Sequence, residues 1–273
     1  MRVPRRHHDH EGAESEGLHR HLRSMCAIAV MAKASIAGKT KTRLVPPLTE
    51  DEAAMLNTVF LRDAADNILS AAALSNITGW MAYAPRGSEA FFKAHLPQTI
   101  GLIESVAPSL GECLFQAAAM LLSAGGAVCL INSDSPTLPA AYLVTAATLL
   151  ATPGDRIVLG PSTDGGYYLI GMKRPLPGLF EGIAWSTEQV LAQTLARAEA
   201  LGLSVVQLPT WYDVDDAETL QLLVHEVLDG QPFRAVGTPT PATWTRGYLR
   251  TLIQDSGLRE RICASRAKGA LAR

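Results

Sequence analysis

The chain has little of what would tie it to a membrane, to nucleic acid or to redox chemistry. Its four cysteines (Cys26, Cys113, Cys129, Cys263) are far apart, and no pair has metal-ligand or redox spacing. Cys26 and Cys129 lie inside apolar runs and read as buried thiols, which fits a reducing cytoplasm. No stretch approaches the ~18 consecutive apolar residues of a membrane span. A formal net charge of −2 leaves no electrostatic footprint for a nucleic-acid partner. What is present is ordinary globular composition, 48% apolar and 18% charged in 273 residues. That is enough for one large domain or two small ones.

The first 24 residues stand apart. They hold five of the seven histidines and almost no apolar residues, and lack the apolar middle of a signal peptide. A His-rich tract can bind metal, but residues 1–24 read as a disordered His/Arg-rich tail, with the folded chain, and even its natural start, expected at Met25.

The chain is built around Ala127-Val128-Cys129-Leu130-Ile131, an uninterrupted apolar run that ends at Asn132-Ser133-Asp134. Five apolar residues without alternation predict a strand buried on both faces, as in a mostly parallel sheet. Ligands of such sheets bind beyond the carboxyl ends of the strands, so Asp134 stands where a metal or ligand would be met. The alternative is that it does no more than cap the turn that Ser135, Pro136 and Pro139 make.

Around this strand, helix and strand patterns alternate from 25 to 230. Strands are predicted at 26–32, 76–84, 99–103, 156–160, 167–171 and 203–208. A capping box at Thr49 to Glu52 opens a long helix carrying Leu56, Phe60 and Ile68. Helices follow at 109–124 and 140–151. A second capping box, Ser186 to Gln189, is expected to open a helix to about 200. Asp215 and Glu218 are expected to cap another that runs to Leu228. The alternation predicts a single three-layer α/β/α domain over 25–230 with a mostly parallel central sheet. Residues 231–273 read as a Pro/Thr-rich linker and a helical C-terminal extension.

The loop from Lys33 to Arg43 has four cations in eleven residues and one glycine, directly after the first strand. Gly38-Lys39-Thr40 is not a Walker A motif, because position 33 is lysine and prolines 46 and 47 block a following helix. The loop can wrap phosphates, or simply be a solvated surface loop. Asp134, Asp164 and the pair Asp213/Asp215 each lie at or just after a strand. Asp164-Gly165-Gly166 allows a tight backbone approach, or an ordinary hairpin turn. Carboxylates and cations on one sheet edge suit a diphosphate held by Mg²⁺ or Mn²⁺.

On its motifs the chain resembles the bacterial glycosyltransferase-A-type family of radical-SAM/selenodomain-associated transferases. These motifs are K-x-x-x-x-G-x-x-KTRL (Lys33 to Leu44), SDSPTLP, GPSTDGGYYLIG (Gly160 to Gly171), Trp185-Ser186-Thr187 and DVDDAETL (Asp213 to Leu220). That family is similar in fold to the nucleotidyltransferases that make activated sugars, and to 2-phospho-lactate and molybdopterin guanylyltransferases. The resemblance implies a nucleotide-diphospho-sugar transferase fold, a divalent metal, and a nucleoside triphosphate or nucleotide sugar as donor. By position it implies that Lys33, Lys41 and Arg43 hold donor phosphates. Asp134, Asp213 and Asp215 are implied as metal ligands. Asp164, Gly165 and Gly166 line the sugar or acceptor pocket, with Asp164 a candidate base, and Trp185, Ser186 and Thr187 close it. The chain departs from the family in two places. Ala34-Ser35-Ile36-Ala37 replaces prolines, so a looser loop is expected, and Asn132 stands where a second aspartate is usual.

Glycosyl transfer to a small-molecule acceptor is the leading expectation. Nucleotidyl transfer with release of pyrophosphate, and a non-catalytic nucleotide-binding role, are the alternatives. A homodimer is an open expectation.

Overall fold

The computed structural model describes residues 25–233 and 237–271, the last four by backbone alone. The expected tail 1–24 lies outside the described residues. Seven strands form one sheet: β1 (Cys26–Lys33), β2 (Ile77–Ala84), β3 (Gly101–Glu104), β4 (Ala127–Ile131), β5 (Arg156–Pro161), β6 (Tyr167–Met172) and β7 (Ser204–Gln207). Their order is β3-β2-β1-β4-β6-β5-β7. Only β6 runs antiparallel, pairing with β4 and β5.

The helices are α1 (Glu50–Ala72), α2 (Glu89–His95), α3 (Leu110–Leu122), α4 (Ala140–Ala151), α5 (Val190–Ala200), α6 (Ala217–Asp229), α7 (Thr243–Ser256) and α8 (Leu258–Leu271). None of them is long and apolar enough to cross a membrane.

The unbroken apolar strands are explained by the layers. In β1, Ile28 and Val30 enter one core and Ala29 the other. In β4, Cys129 and Ile131 face the first core and Val128 and Leu130 the second. A strand covered on both faces has no polar side to show. The first core takes Leu56, Phe60 and Ile68 of α1, Leu143 of α4 and Leu223 of α6. The second takes Leu114 and Leu121 of α3 and Ala198 of α5. Each such Leu or Phe, fully buried, contributes about 1.5–3 kcal/mol.

Three local expectations are corrected. The Ser186 to Gln189 capping box does not form. The helix starts at Val190 without a side-chain cap, and Ser186 is left-handed at φ 64°. The segment is instead drawn to the Asp164 turn, where the Leu191 amide donates to the Gly165 carbonyl at 2.9 Å. The cap of α6 is Asp216, not Asp215, and it accepts from the amides of Glu218 and Thr219. Asp215 is turned toward Lys41 and Arg43. Finally, α2 has no counterpart in the periodicity reading.

The C-terminal helices are packed, not trailing. Leu249, Leu252, Leu258 and Ile262 join the first core. Buried Asp63 of α1 accepts from the amides of Trp244 and Thr245 at the start of α7. Arg261 of α8 grips Glu52 through both guanidinium ends, at 2.7 and 2.9 Å.

Candidate functional site

Strand order reverses between β1 and β4, since the chain moves from β1 to β2 on one side and reaches β4 on the other. Crevices at such points, beyond the strands' carboxyl ends, are where open α/β sheets bind ligands. A cleft of about 630 Å³ lies here. Lys33 lines it from the end of β1, Lys39, Lys41 and Arg43 from the loop that follows, and Asp134 from the turn after β4. Asp164 reaches it from the β5–β6 turn, Asp213 and Asp215 from the segment after β7, and Trp185 to Glu188 from the stretch before α5.

The loop after β1 lacks the expected prolines, yet side-chain hydrogen bonds hold it. Asn57 Nδ2 of α1 donates to the Lys33 carbonyl at 3.0 Å and to Ser35 Oγ at 2.9 Å. Thr58 Oγ1 donates to Ser35 Oγ at 2.7 Å. Thr40 Oγ1 accepts from the Ile36 amide and donates to the Ala34 carbonyl. The loop ends in a 3₁₀ turn, Thr42–Leu44, entered by Lys41 at φ 55°, ψ 36°. That conformation is uncommon for a residue with a Cβ.

It sends the lysine inward. The Lys41 side chain is 6% exposed, with Nζ 2.9 Å from Asp134 Oδ1 and 3.7 Å from Asp215 Oδ1. Nζ also donates to the Val214 carbonyl at 2.7 Å. Arg43 stays 71% exposed and meets Asp215 Oδ2 at 3.2 Å. Among the described residues, Lys33 and Lys39 have no carboxylate within ion-pair distance.

Of the implied metal ligands Asp134, Asp213 and Asp215, the last two lie together with Asp164. Asp164, Asp213 and Asp215 each offer an oxygen within 4.8 Å of the others. Asp134 instead pairs with Lys41. Its Oδ1 accepts from Ser133 Oγ at 2.7 Å, and its amide donates to Asn132 Oδ1 at 3.4 Å. The asparagine in place of an aspartate thus braces the turn. Burial, and after it the charges of Asp164, Asp215 and Asp134, push Asp213 up to about 6, against a hydrogen bond from Ser162 Oγ that lowers it. Asp215 is raised by burial and Asp134, while Lys41 and Arg43 pull it down. Buried carboxylates raised in this way, as Asp213 and Asp215 are, fit a hard divalent cation, which takes oxygen ligands and removes the repulsion.

Asp164 Oδ1 accepts from the Gly166 amide at 2.8 Å, closing the turn in which Gly165 sits at φ 86°. A Cβ on Gly165 would lie 2.2 Å from the Glu188 carbonyl oxygen. Only glycine lets this turn press against the Trp185 to Glu188 segment. Thr187 Oγ1 donates back to the Ala184 carbonyl at 2.7 Å, so it shapes its own loop.

Sequence reasoning missed Ser162, whose Oγ donates to Asp213 Oδ1 at 2.5 Å. It stands two residues before Asp164 in the same motif, which was its one signal. Tyr212 and Glu226 were missed as well. The Tyr212 hydroxyl donates to Glu226 Oε2 at 2.5 Å behind the acidic segment. The signal was a lone glutamate among Leu223, Val224 and Val227 on a buried helix face.

Comparison with known proteins agrees with the resemblance read from the motifs. Residues 67–187 match the family described as "Uncharacterized protein conserved in bacteria (DUF2064)". A crystal structure from Desulfovibrio desulfuricans G20, provisionally named a nucleotide-diphospho-sugar transferase, is 28% identical over 87% of this chain and 98% of its own, with a TM-score of 0.73. CMP:2-keto-3-deoxy-manno-octonic acid synthetase in complex with CTP is 11% identical over 76% of this chain and 100% of its own, at a TM-score of 0.50. That second likeness is one of fold alone. Comparison with curated proteins gives no match. The fold is that of the nucleotide-diphospho-sugar transferases.

Proposed function

We propose that the protein is a transferase using a nucleoside phosphate donor with Mg²⁺ or Mn²⁺, and that it passes a glycosyl unit from a nucleotide sugar to a small-molecule acceptor. The observation that carries this reading is the meeting, in one cleft, of three mutually repelling carboxylates and a cationic loop. The likeness to the Desulfovibrio protein adds to it.

In this reading Asp164, Asp213 and Asp215 would hold the divalent ion, which when bound supplies charge neutralisation on the leaving phosphate. The role of Asp164 then shifts from candidate base to candidate ligand. Lys33, Lys39 and Arg43 take the remaining phosphate charge as the anomeric carbon–oxygen bond breaks, the nucleoside diphosphate leaves, and the acceptor hydroxyl bonds to that carbon and gives its proton to the departing phosphate or to solvent. Trp185, Ser186 and Thr187 form the opposite wall, against the Gly165–Gly166 turn, and limit water.

Nucleotidyl transfer is the second reading, favoured by the cations themselves, since Lys33, Lys39 and Arg43 in one cleft also match a triphosphate. Product analysis separates the two. Nucleotide sugars with Mn²⁺ and small hydroxyl acceptors should release a nucleoside diphosphate. Nucleoside triphosphates with phosphorylated metabolites would release pyrophosphate if the second reading holds. Binding of nucleotides without either product would instead point to a non-catalytic nucleotide-binding partner.

A further inference from the structure

Lys41 differs from the other cations of its loop. Its ammonium is buried, and burial of a charge is tolerated only when it is paired and hydrogen-bonded. Here Asp134 Oδ1, Asp215 Oδ1 and the Val214 carbonyl surround it. The ammonium donates to the Val214 carbonyl at 2.7 Å and lies 2.9 Å from Asp134 Oδ1, while Asp215 Oδ1 at 3.7 Å is beyond hydrogen-bond reach and contributes charge alone. The Phe60 ring centroid lies 5.1 Å away, close enough for the ring face to add to its hold. Lys33 and Lys39 line the same cleft, and among the described residues neither has a carboxylate within ion-pair distance. Two of the loop's lysines are therefore free for phosphate, and one is engaged.

What Lys41 engages is shared. Asp215 belongs at once to the Lys41 contact and to the Asp164–Asp213–Asp215 cluster. A divalent ion in that cluster would sit beside the buried lysine ammonium, both drawing on a carboxylate whose other oxygen meets the exposed Arg43 at 3.2 Å. Like charges this close repel strongly where solvent is scarce.

We propose that Lys41 is the resting counter-cation of the site. It holds Asp134 and Asp215 together in the metal-free protein, competes with the divalent ion for Asp215, and is drawn off by donor phosphate. Metal and donor consequently bind as a pair, each raising the affinity for the other. This rests on the donor-and-metal function proposed for the cleft. The left-handed backbone at Lys41 fits such a part. Backbone held in a sparsely populated region recurs at ligand clamps and switch segments, and relaxing it would move the ammonium away from Asp134. By linkage the coupling is reciprocal and of measurable size.

The test is titration of Mn²⁺ into the parent protein and into Lys41→Gln and Lys41→Arg, by calorimetry and by the electron-paramagnetic-resonance signal of the ion. Each titration is run with Mn²⁺ alone and with inorganic pyrophosphate present. Lys41→Gln should bind Mn²⁺ alone about fivefold or more tightly than the parent. Lys41→Arg, which keeps the charge, should stay near the parent. Pyrophosphate should raise the parent's Mn²⁺ affinity by about fivefold or more and that of Lys41→Gln by much less. Far-ultraviolet circular dichroism confirms that each variant is folded, and Lys41→Arg alone against the parent still reads the coupling if Lys41→Gln does not fold. Equal Mn²⁺ affinity in parent and Lys41→Gln, with pyrophosphate coupling intact in both, overturns the role of Lys41 and leaves the cleft's function standing. Loss of pyrophosphate coupling in Lys41→Arg also overturns it. No Mn²⁺ binding by any form, with or without pyrophosphate, takes down the donor-and-metal function and this role together.

Discussion

The Val214 amide donates to the Asp134 carbonyl at 2.9 Å. Beside it, Ser135 Oγ donates to the Tyr212 carbonyl at 2.8 Å. These bonds staple the turn after β4 to the segment after β7. The acidic side chains on both are thus held near one another before any ligand arrives. Sites set in advance avoid the ordering cost that a flexible site meets on binding.

The staple has its own support. Glu226 Oε2 accepts from the Tyr212 hydroxyl and Oε1 from the Phe233 amide at 3.1 Å. Thr137 Oγ1 donates to the same tyrosine oxygen at 3.1 Å. Glu226→Ala removes a buried acceptor and leaves space in the core. It should lower stability by about 2–4 kcal/mol, read as a lower urea midpoint with an unchanged slope.

Gly165→Ala should be costly for two reasons. Its φ of 86° is unfavourable for alanine, and the new methyl would meet the Glu188 carbonyl oxygen. A loss of about 1–3 kcal/mol is expected. Thermal melts should show it, together with weaker nucleotide-induced stabilisation as the Trp185 to Glu188 segment is pushed away.

Asp63 is the borrowed cap of α7, supplied by another helix. Asp63→Ala leaves the amides of Trp244 and Thr245 without their acceptor. A cost on the order of 1–2 kcal/mol is expected, and hydrogen exchange should speed up at the start of α7 before it does in the central strands.

Glu52 contributes to the acid limb of stability. Burial raises its carboxyl, but the bonds from Arg261, the Thr49 amide and Ser256 outweigh that and leave it below its ordinary value of 4.5. A depressed carboxylate stabilises the fold above that value, and the contribution is lost as pH falls below it. Arg261→Met should therefore lower the melting temperature at neutral pH and flatten its fall under acid. An acid limb as steep as the parent's would count against the Glu52–Arg261 clamp.

The layers were legible because burial on both faces leaves a direct mark, as in Ala127 to Ile131. Asp134 was legible for the same reason, since a strand's end is visible when the apolar run stops. The grouping of Asp164 with Asp213 and Asp215 was not. It depends on β5 lying beside β7, with Arg156 opposite Ser204 and a bridge from Ser162 to Trp211, and no local pattern encodes which strands are neighbours. The Ser186 capping box misled because a tertiary contact, Leu191 to Gly165, outweighed a local preference worth about 1 kcal/mol. The C-terminal segment read as an extension because its core contacts come from scattered apolar residues, Leu249, Leu252, Leu258 and Ile262 among them. Lys41 was visible as a phosphate-binding candidate, but its pairing with Asp134 required a left-handed turn that the sequence Lys-Thr-Arg does not announce.

The most direct measurement is the melting temperature of the parent and of Asp213→Asn with a panel of nucleoside triphosphates and nucleotide sugars, each with and without Mn²⁺. A bound donor well above its dissociation constant should add about 2–4 kcal/mol, a rise of several degrees for the parent with at least one nucleotide. The Mn²⁺-dependent part of that rise should vanish in Asp213→Asn while the folded state persists. An equal Mn²⁺-dependent rise in both proteins, or no rise with any nucleotide, would contradict a metal-assisted nucleoside phosphate site in this cleft.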